Sequence, residues 1–259
     1  MSEELLWEVR DGVGWITLNR PQARNAMTFA MYDRLTEICE AADAERDLRA
    51  LVVTGAGEKA FAAGTDISQF RAFETPEDAH AYEARIDRVL GALESVRQPT
   101  LAAIAGACTG GGAAIAACCD LRIAAANMRF GFPVARTLGN CLSMNNYARL
   151  KDLLGPARAK ELIFTARLVE AEEARAIGFV TEILPDHAAL VARAEALAAQ
   201  VAGMAPLTLH ATKTAFLRLQ TRLEPGGGRD LVDLCYGSRD FREGMDAFLE
   251  KRRPQWTGT

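Results

Sequence analysis

Three consecutive glycines, Gly110, Gly111 and Gly112, separate the apolar run "TLAAIAGACT" from the alanine-rich run "AAIAACC". Continuous apolarity predicts a buried strand in the first run, and the second predicts a helix from Ala113 to Cys118, so the glycines occupy a strand-to-helix junction. Backbone N–H groups in the first turn of a helix lack intrahelical acceptors and carry the positive end of the helix dipole. Bare glycines leave those groups open to an anion. They would equally let strand and helix pack closer than any side chain allows. Both readings stay open at this point. Ala113 and Ala114, which come next, supply no acid, base or nucleophile.

The same alternation recurs along the chain. Leu6–Arg10 and Val13–Asn19 alternate around an Asp11-Gly12 turn, as in a hairpin. After the polar loop "NRPQARNAM", Thr28 is placed to cap a helix whose apolar positions are Met31, Leu35, Ile38 and Ala42. "ALVVTG" reads as a buried strand, and "GAGEKAFAAGTD" as a glycine-broken loop containing a short one. A helix is expected from Pro76 to Val96, strands in "DLRIAAA" and "MRFGFP", and helices at 144–153 and 157–165. This strand–strand–helix order through about residue 185 predicts an α/β spiral or layered core. After Asp186 the pattern becomes helical, at 188–202, 206–221 and 230–250, with the turn "EPGGGRD" before the last. We therefore expect a core over 1–198 and a helical module for docking or oligomerisation over 199–259.

Composition narrows the function. A net charge of -4 lacks the basic excess of a nucleic-acid surface. The opening residues carry no secretory signal and no run approaches a bilayer span, so no membrane partner and a cytoplasmic location are expected. Six scattered cysteines form no C-x-x-C pair, and His80, His187 and His210 are far apart, so neither a disulfide framework nor a metal site is expected.

The glycine spacing fits neither a dinucleotide fingerprint nor a phosphate loop, which leaves an oxygen that gains charge during a reaction. A second glycine loop, "FAAGTD", would supply a further N–H. In order along nearly the whole chain, "NRPQARNAM", "AFAAGTDISQF", "QPTLAAIAGACTGGG", "CDLRIAAANMRFGFP", Leu138-Gly139, "ELIFTARLVEAEEARAIGFV" and "FLEKRRPQW" resemble the enoyl-CoA hydratase/isomerase, or crotonase, family.

The resemblance implies a spiral of repeated ββα units with a C-terminal helical oligomerisation module, assembled as a homo-trimer or a hexamer made of two trimers. It also implies a place in acyl-CoA and fatty acid metabolism as a lyase or isomerase. Its partner is an acyl-CoA thioester, with coenzyme A entering as part of the substrate and no separate cofactor. The backbone N–H groups of Thr65 and Gly111 would form an oxyanion hole for the thioester enolate. Ala63, Thr65, Asp66, Ile67 and Ser68 would line the substrate, with Asp66 as a structural anchor, while Arg24 and Lys251 would meet coenzyme A. Asp120 is likewise expected to be structural.

One departure bears on mechanism. Hydratases of the family carry glutamates in G-G-G-x-E and P-E, and here those positions are Ala114 and Val134. Position 114 falls three residues beyond Gly111 on one helix face, where a carboxylate would reach the thioester carbons. Without this acid/base pair, standard two-glutamate hydration is not expected. Replacement candidates are Glu83 and Asp87, which share a helix face with His80, and Cys141, whose plainer reading is a buried packing cysteine. A catalytically silent acyl-CoA-binding protein fits the same pattern.

Overall fold

The computed structural model describes residues 4–45, 47–220, 229–257 and 259. The chain opens with an antiparallel hairpin, β1 (Leu5–Arg10) and β2 (Val13–Leu18), turned by Asp11 and Gly12, both at positive φ. Helix α1 (Phe29–Ala44) follows, and the Thr28 hydroxyl accepts from the Met31 N–H as expected of its cap. Strands β3 (Ala50–Gly55) and β4 (Ala60–Ala62) precede α2 (Pro76–Ser95). Next come β5 (Thr100–Ile104), β6 (Ala107–Thr109) and α3 (Gly111–Cys118), then β7 (Leu121–Ala125) and β8 (Arg129–Gly131). Each pair sends its first strand to one sheet and its second to another. Thus β3, β5 and β7 lie parallel in the larger sheet, and β4, β6 and β8 lie parallel in the smaller. This is the expected ββα spiral.

Three short helices complete the smaller end: α4 (Val134–Thr137), α5 (Met144–Leu154) and α6 (Pro156–Thr165). Strand β9 (Val169–Glu170), helix α7 (Ala171–Ala176) and strand β10 (Glu182–Leu184) follow. The order of the larger sheet is β1-β2-β3-β5-β7-β10, and that of the smaller is β4-β6-β8-β9.

The central strands are apolar throughout because both faces of the larger sheet are covered. Ile16, Val53, Ala102, Ile104 and Ala124 face α1, α2 and α3 in the main core. Their neighbours Trp15, Val52, Leu101 and Ile123 face α8 (His187–Ala202), which inserts Leu190, Ala194 and Ala198. The expected module boundary at 198 falls within this helix, whose whole inner face belongs to the sheet. Full burial of each large aliphatic side chain contributes about 1.5–3 kcal/mol.

Helix α9 (Pro206–Gln220) leads to residues outside the described set, where most of the expected "EPGGGRD" turn lies. The single helix expected over 230–250 is two, α10 (Arg229–Tyr236) and α11 (Arg239–Leu249). The break falls at Gly237 and Ser238, and the Ser238 hydroxyl caps α11 by accepting from the Phe241 N–H at 3.0 Å. Both helices return to the spiral: Tyr236 and Phe241 pack with Phe70, Leu138 and Cys141 in an apolar cluster beside α2. No single helix among the described residues is long and apolar enough to cross a membrane.

Candidate active site

Two loops meet at the N-terminal end of α3. In the first, the chain leaving β4 forms a parallel bridge between Thr65 and Met27. The Met27 N–H donates to the Gly64 carbonyl, and the Asp66 N–H donates to the Met27 carbonyl, each at 2.8 Å. Neither bond uses the Thr65 N–H. Alternation along extended chain directs that group to the opposite side, toward α3.

In the second loop the three glycines have three different tasks. Gly110 adopts φ +52°, a left-handed turn that glycine takes without a Cβ penalty. Gly111 begins α3, so its N–H has no intrahelical acceptor. A Cβ there would lie 2.2 Å from the Tyr32 hydroxyl oxygen and 3.4 Å from the Thr65 nitrogen. Gly112 permits close packing, since a Cβ would lie 2.3 Å from the Ala62 carbonyl oxygen. The junction is therefore both a close contact and an amide cradle. Two neighbouring amides at a helix N-terminus can hold an oxygen that gains negative charge.

Thr65 is held from its side chain. Its hydroxyl bonds with Tyr32 at 2.9 Å and Tyr82 at 2.8 Å. The loop below is anchored by fully buried Asn25, which accepts from the Arg20 N–H at 3.0 Å and donates to the carbonyls of Ala56 and Ala60. Asp66 acts as an anchor, accepting from Ser68 and from the Arg20 guanidinium at 3.0 Å. Burial pushes its carboxyl up, but the hydrogen bonds from Ser68 and Arg20 and the Arg20 charge outweigh that and hold it below the usual value. Asp120 is also structural: it accepts from the Thr100 N–H and hydroxyl and from Lys213 at 2.8 Å.

A cavity of about 560 Å³ opens beside this cradle. Thr65, Gly111, Arg24, Ala63, Asp66 and Ile67 all border it, and so do Ala114 and Val134. Ser68 does not; it is exposed and donates to Asp66. Lys251 also lies off the cavity wall of this chain, exposed just past α11, whereas Phe248 of that helix reaches the cavity. The neighbouring Arg252 pairs with Glu243 and Glu250.

The three acid/base candidates separate in the structure. Glu83 borders the cavity and is only 9 % exposed, with one carboxylate oxygen accepting from the Tyr236 hydroxyl at 2.5 Å. Burial pushes its carboxyl up to about 7; the Tyr236 hydrogen bond opposes this and the nearby Asp87 charge adds to it. Asp87 instead accepts from the Ser143 hydroxyl at 2.6 Å and the Asn145 amide at 2.8 Å, and is not on the cavity wall. Cys141 does border the cavity, but its thiol bonds with that of Cys235, and that hydrogen bond together with burial disfavours its thiolate. His80 pairs with Asp233 at 2.6 Å.

A larger groove, about 880 Å³, lies at the other end of α3. Its charged groups are engaged with one another or with backbone: Arg149 with Glu94, Lys213 with Asp120, and Arg122 with the carbonyls of Phe179 and Cys119. The cradle and the poised carboxyl both belong to the smaller cavity, which is the candidate site.

The family model described as enoyl-CoA hydratase/isomerase matches residues 8–259. The chain belongs to the enoyl-CoA hydratase/isomerase family. Its relatives in that family include a Mycobacterium bovis protein named probable enoyl-CoA hydratase echA8, 37% identical with 98% of each chain covered. Another is the crotonyl-CoA hydratase of Syntrophomonas wolfei, 34% identical over 97% of this chain and 96% of that one. Among solved structures, an enoyl-CoA hydratase/carnithine racemase from Magnetospirillum magneticum superposes with a TM-score of 0.81 at 32% identity, covering 100% of this chain and 97% of that one.

Within this member of the family, sequence reading missed Tyr32, Tyr82 and Tyr236. The first two could have been suspected as polar tips on apolar helix faces. Tyr236 carried no local signal, because its partner Glu83 is 153 positions away.

Proposed function

We propose that this chain is an acyl-CoA isomerase acting through a thioester enolate. The observation that carries this reading is a buried carboxyl, Glu83, on the wall shared with the Thr65–Gly111 cradle and held near neutrality. A carboxyl in that state can both take and return a proton at physiological pH. Its carboxylate removes a proton from C2 of a 3-enoyl thioester. The electron pair moves onto the thioester oxygen, held by the N–H groups of Thr65 and Gly111. The same carboxyl then returns the proton at C4, leaving the double bond between C2 and C3. Removing one donor from such a hole costs about 10²–10³ in rate, roughly 3–4 kcal/mol.

Hydration also requires positioned water, the task of the family glutamates whose places are taken here by Ala114 and Val134. One proton-transferring group suits a proton shift better. Arg24 and, from a neighbouring subunit, Lys251 would meet coenzyme A, which enters with the substrate and leaves no need for a resident cofactor. In the same reading, residues 199–259 assemble three chains, or two sets of three.

The second reading, a silent acyl-CoA binder, is favoured by the same Ala114 and Val134. Incubation with 2-enoyl- and 3-enoyl-CoA thioesters in D₂O, read by mass spectrometry, separates the two. Double-bond migration, lost in Glu83→Gln while thioester binding persists, is the expected result, with deuterium taken up wherever the Glu83 proton exchanges with solvent before its return. Binding without exchange or product would establish the silent reading instead, and conversion of crotonyl-CoA to its hydrated product would overturn the isomerase assignment.

A further inference from the structure

Four of the six cysteines are sequestered. Cys39, Cys108, Cys118 and Cys119 are buried, burial pushes all four thiols up, and two of them donate to carbonyls of α3, Cys108 to Gly112 and Cys119 to Ile115. Cys141 and Cys235 differ. Their thiols hydrogen-bond each other across two chain segments that are distant in sequence. The segments run side by side here: the Asn140 amide donates to the Tyr236 hydroxyl at 3.1 Å, and both cysteines lie in the apolar cluster around Phe70 and Phe241. Cys141 is 6 % exposed and borders the cavity, whereas Cys235 on α10 is half-buried and within reach of a small oxidant. Each of these thiols has the other as its hydrogen-bond partner, and Cys235 carries the more accessible sulfur. A thiolate with a second thiol beside it is the arrangement of an attacking and a resolving cysteine.

We propose that Cys141 and Cys235 are a peroxide-oxidisable dithiol whose disulfide fastens α10 to the wall of the cavity. The Cys235 sulfur attacks one oxygen of hydrogen peroxide, forming a sulfenic acid and releasing one water. The Cys141 sulfur then attacks that sulfenic sulfur, and the hydroxyl leaves with the Cys141 proton as a second water. The two sulfurs together supply the two electrons that reduce the peroxide, and a reducing thiol reverses the bond. The residue after Cys235 is Tyr236, the hydrogen-bond partner of Glu83. Oxidation therefore ties α10 to the chain between α4 and α5, where Cys141 borders the cavity. The inference needs no particular reaction at the site.

The whole protein, fully reduced and then exposed to hydrogen peroxide, provides the test by intact mass and non-reducing peptide mapping. Loss of two hydrogens, with one peptide pair joining Cys141 to Cys235, is expected, together with a Tm rise of roughly 5–10 °C for closing so long a loop. Reduction should reverse both changes; Cys235→Ser should stay at the reduced mass, and Cys141→Ser, which keeps the attacking sulfur without its resolving partner, should stop at a Cys235 sulfenic acid carrying one added oxygen. The proposal is overturned if peroxide oxidises methionines while both cysteines remain alkylatable, or if the bond forms between other cysteines. The wild-type peptide map decides this even where a serine variant fails to fold.

Discussion

Replacing Glu83 by Gln keeps the shape of the side chain and its ability to accept from Tyr236, and removes only the ionisation. The variant thus isolates the cost of a buried charge in the cavity wall. In the folded chain the carboxyl is raised from its ordinary 4.5 to about 7, chiefly by burial. A carboxyl raised on folding stabilises in full below its unfolded value, and that stabilisation is lost as pH rises through the folded value. A shift from 4.5 to about 7 corresponds to about 3 kcal/mol, because each pKa unit represents about 1.4 kcal/mol. Glu83→Gln should therefore match the wild type to within about 1 kcal/mol at pH 5 and exceed it by about 3 kcal/mol at pH 8.5. Urea midpoints measured across this range at one protein concentration give the difference directly, and other titrating groups cancel between the two proteins. A stability difference that stays constant from pH 5 to 8.5 would refute the reasoning, since it would mean that Glu83 ionises like a surface glutamate.

The neighbours of Glu83 should move its titration in opposite directions. Tyr236→Phe removes the hydrogen bond that opposes protonation, so the acidic limb of the kcat/KM profile should shift to higher pH. Asp87→Asn removes a nearby negative charge and should shift it to lower pH while leaving turnover intact, because Asp87 is held by Ser143 and Asn145 away from the cavity. Gly111→Ala places a Cβ 2.2 Å from the Tyr32 hydroxyl oxygen and displaces the cradle; a fall in kcat of roughly 10²–10³ is expected in single-turnover assays. Asn25→Ala leaves the buried Ala60 carbonyl, the part-buried Ala56 carbonyl and the Arg20 N–H without their partner, and denaturant unfolding should show a loss of roughly 2–4 kcal/mol.

Much of the architecture was legible because it rests on local rules. The apolar strands, the Thr28 cap, the Asp11-Gly12 turn and the glycine junction each announce themselves within a few residues, and their order is enough to expect an α/β spiral or layered core, which the family resemblance narrowed to the ββα spiral. The break between α10 and α11 was less legible, because Gly237 and Ser238 interrupt a pattern that otherwise continues as a helix. For the site, sequence could bring Thr65 and Gly111 together only through resemblance, but it did mark Ala114 and Val134 as unable to move a proton.

Sequence by itself determined which chemical groups this protein possesses and which periodicity its segments follow. It placed Glu83 and Asp87 on one face of α2, four residues apart, and could not choose between them. Tertiary structure decided that choice: Ser143 and Asn145 at the start of α5 take both oxygens of Asp87, while Tyr236 on α10 takes one oxygen of Glu83 inside the cavity wall. Helical periodicity fixes a direction around the helix axis, but burial and hydrogen bonding, which set a carboxyl's proton affinity, depend on what the rest of the chain packs against that face.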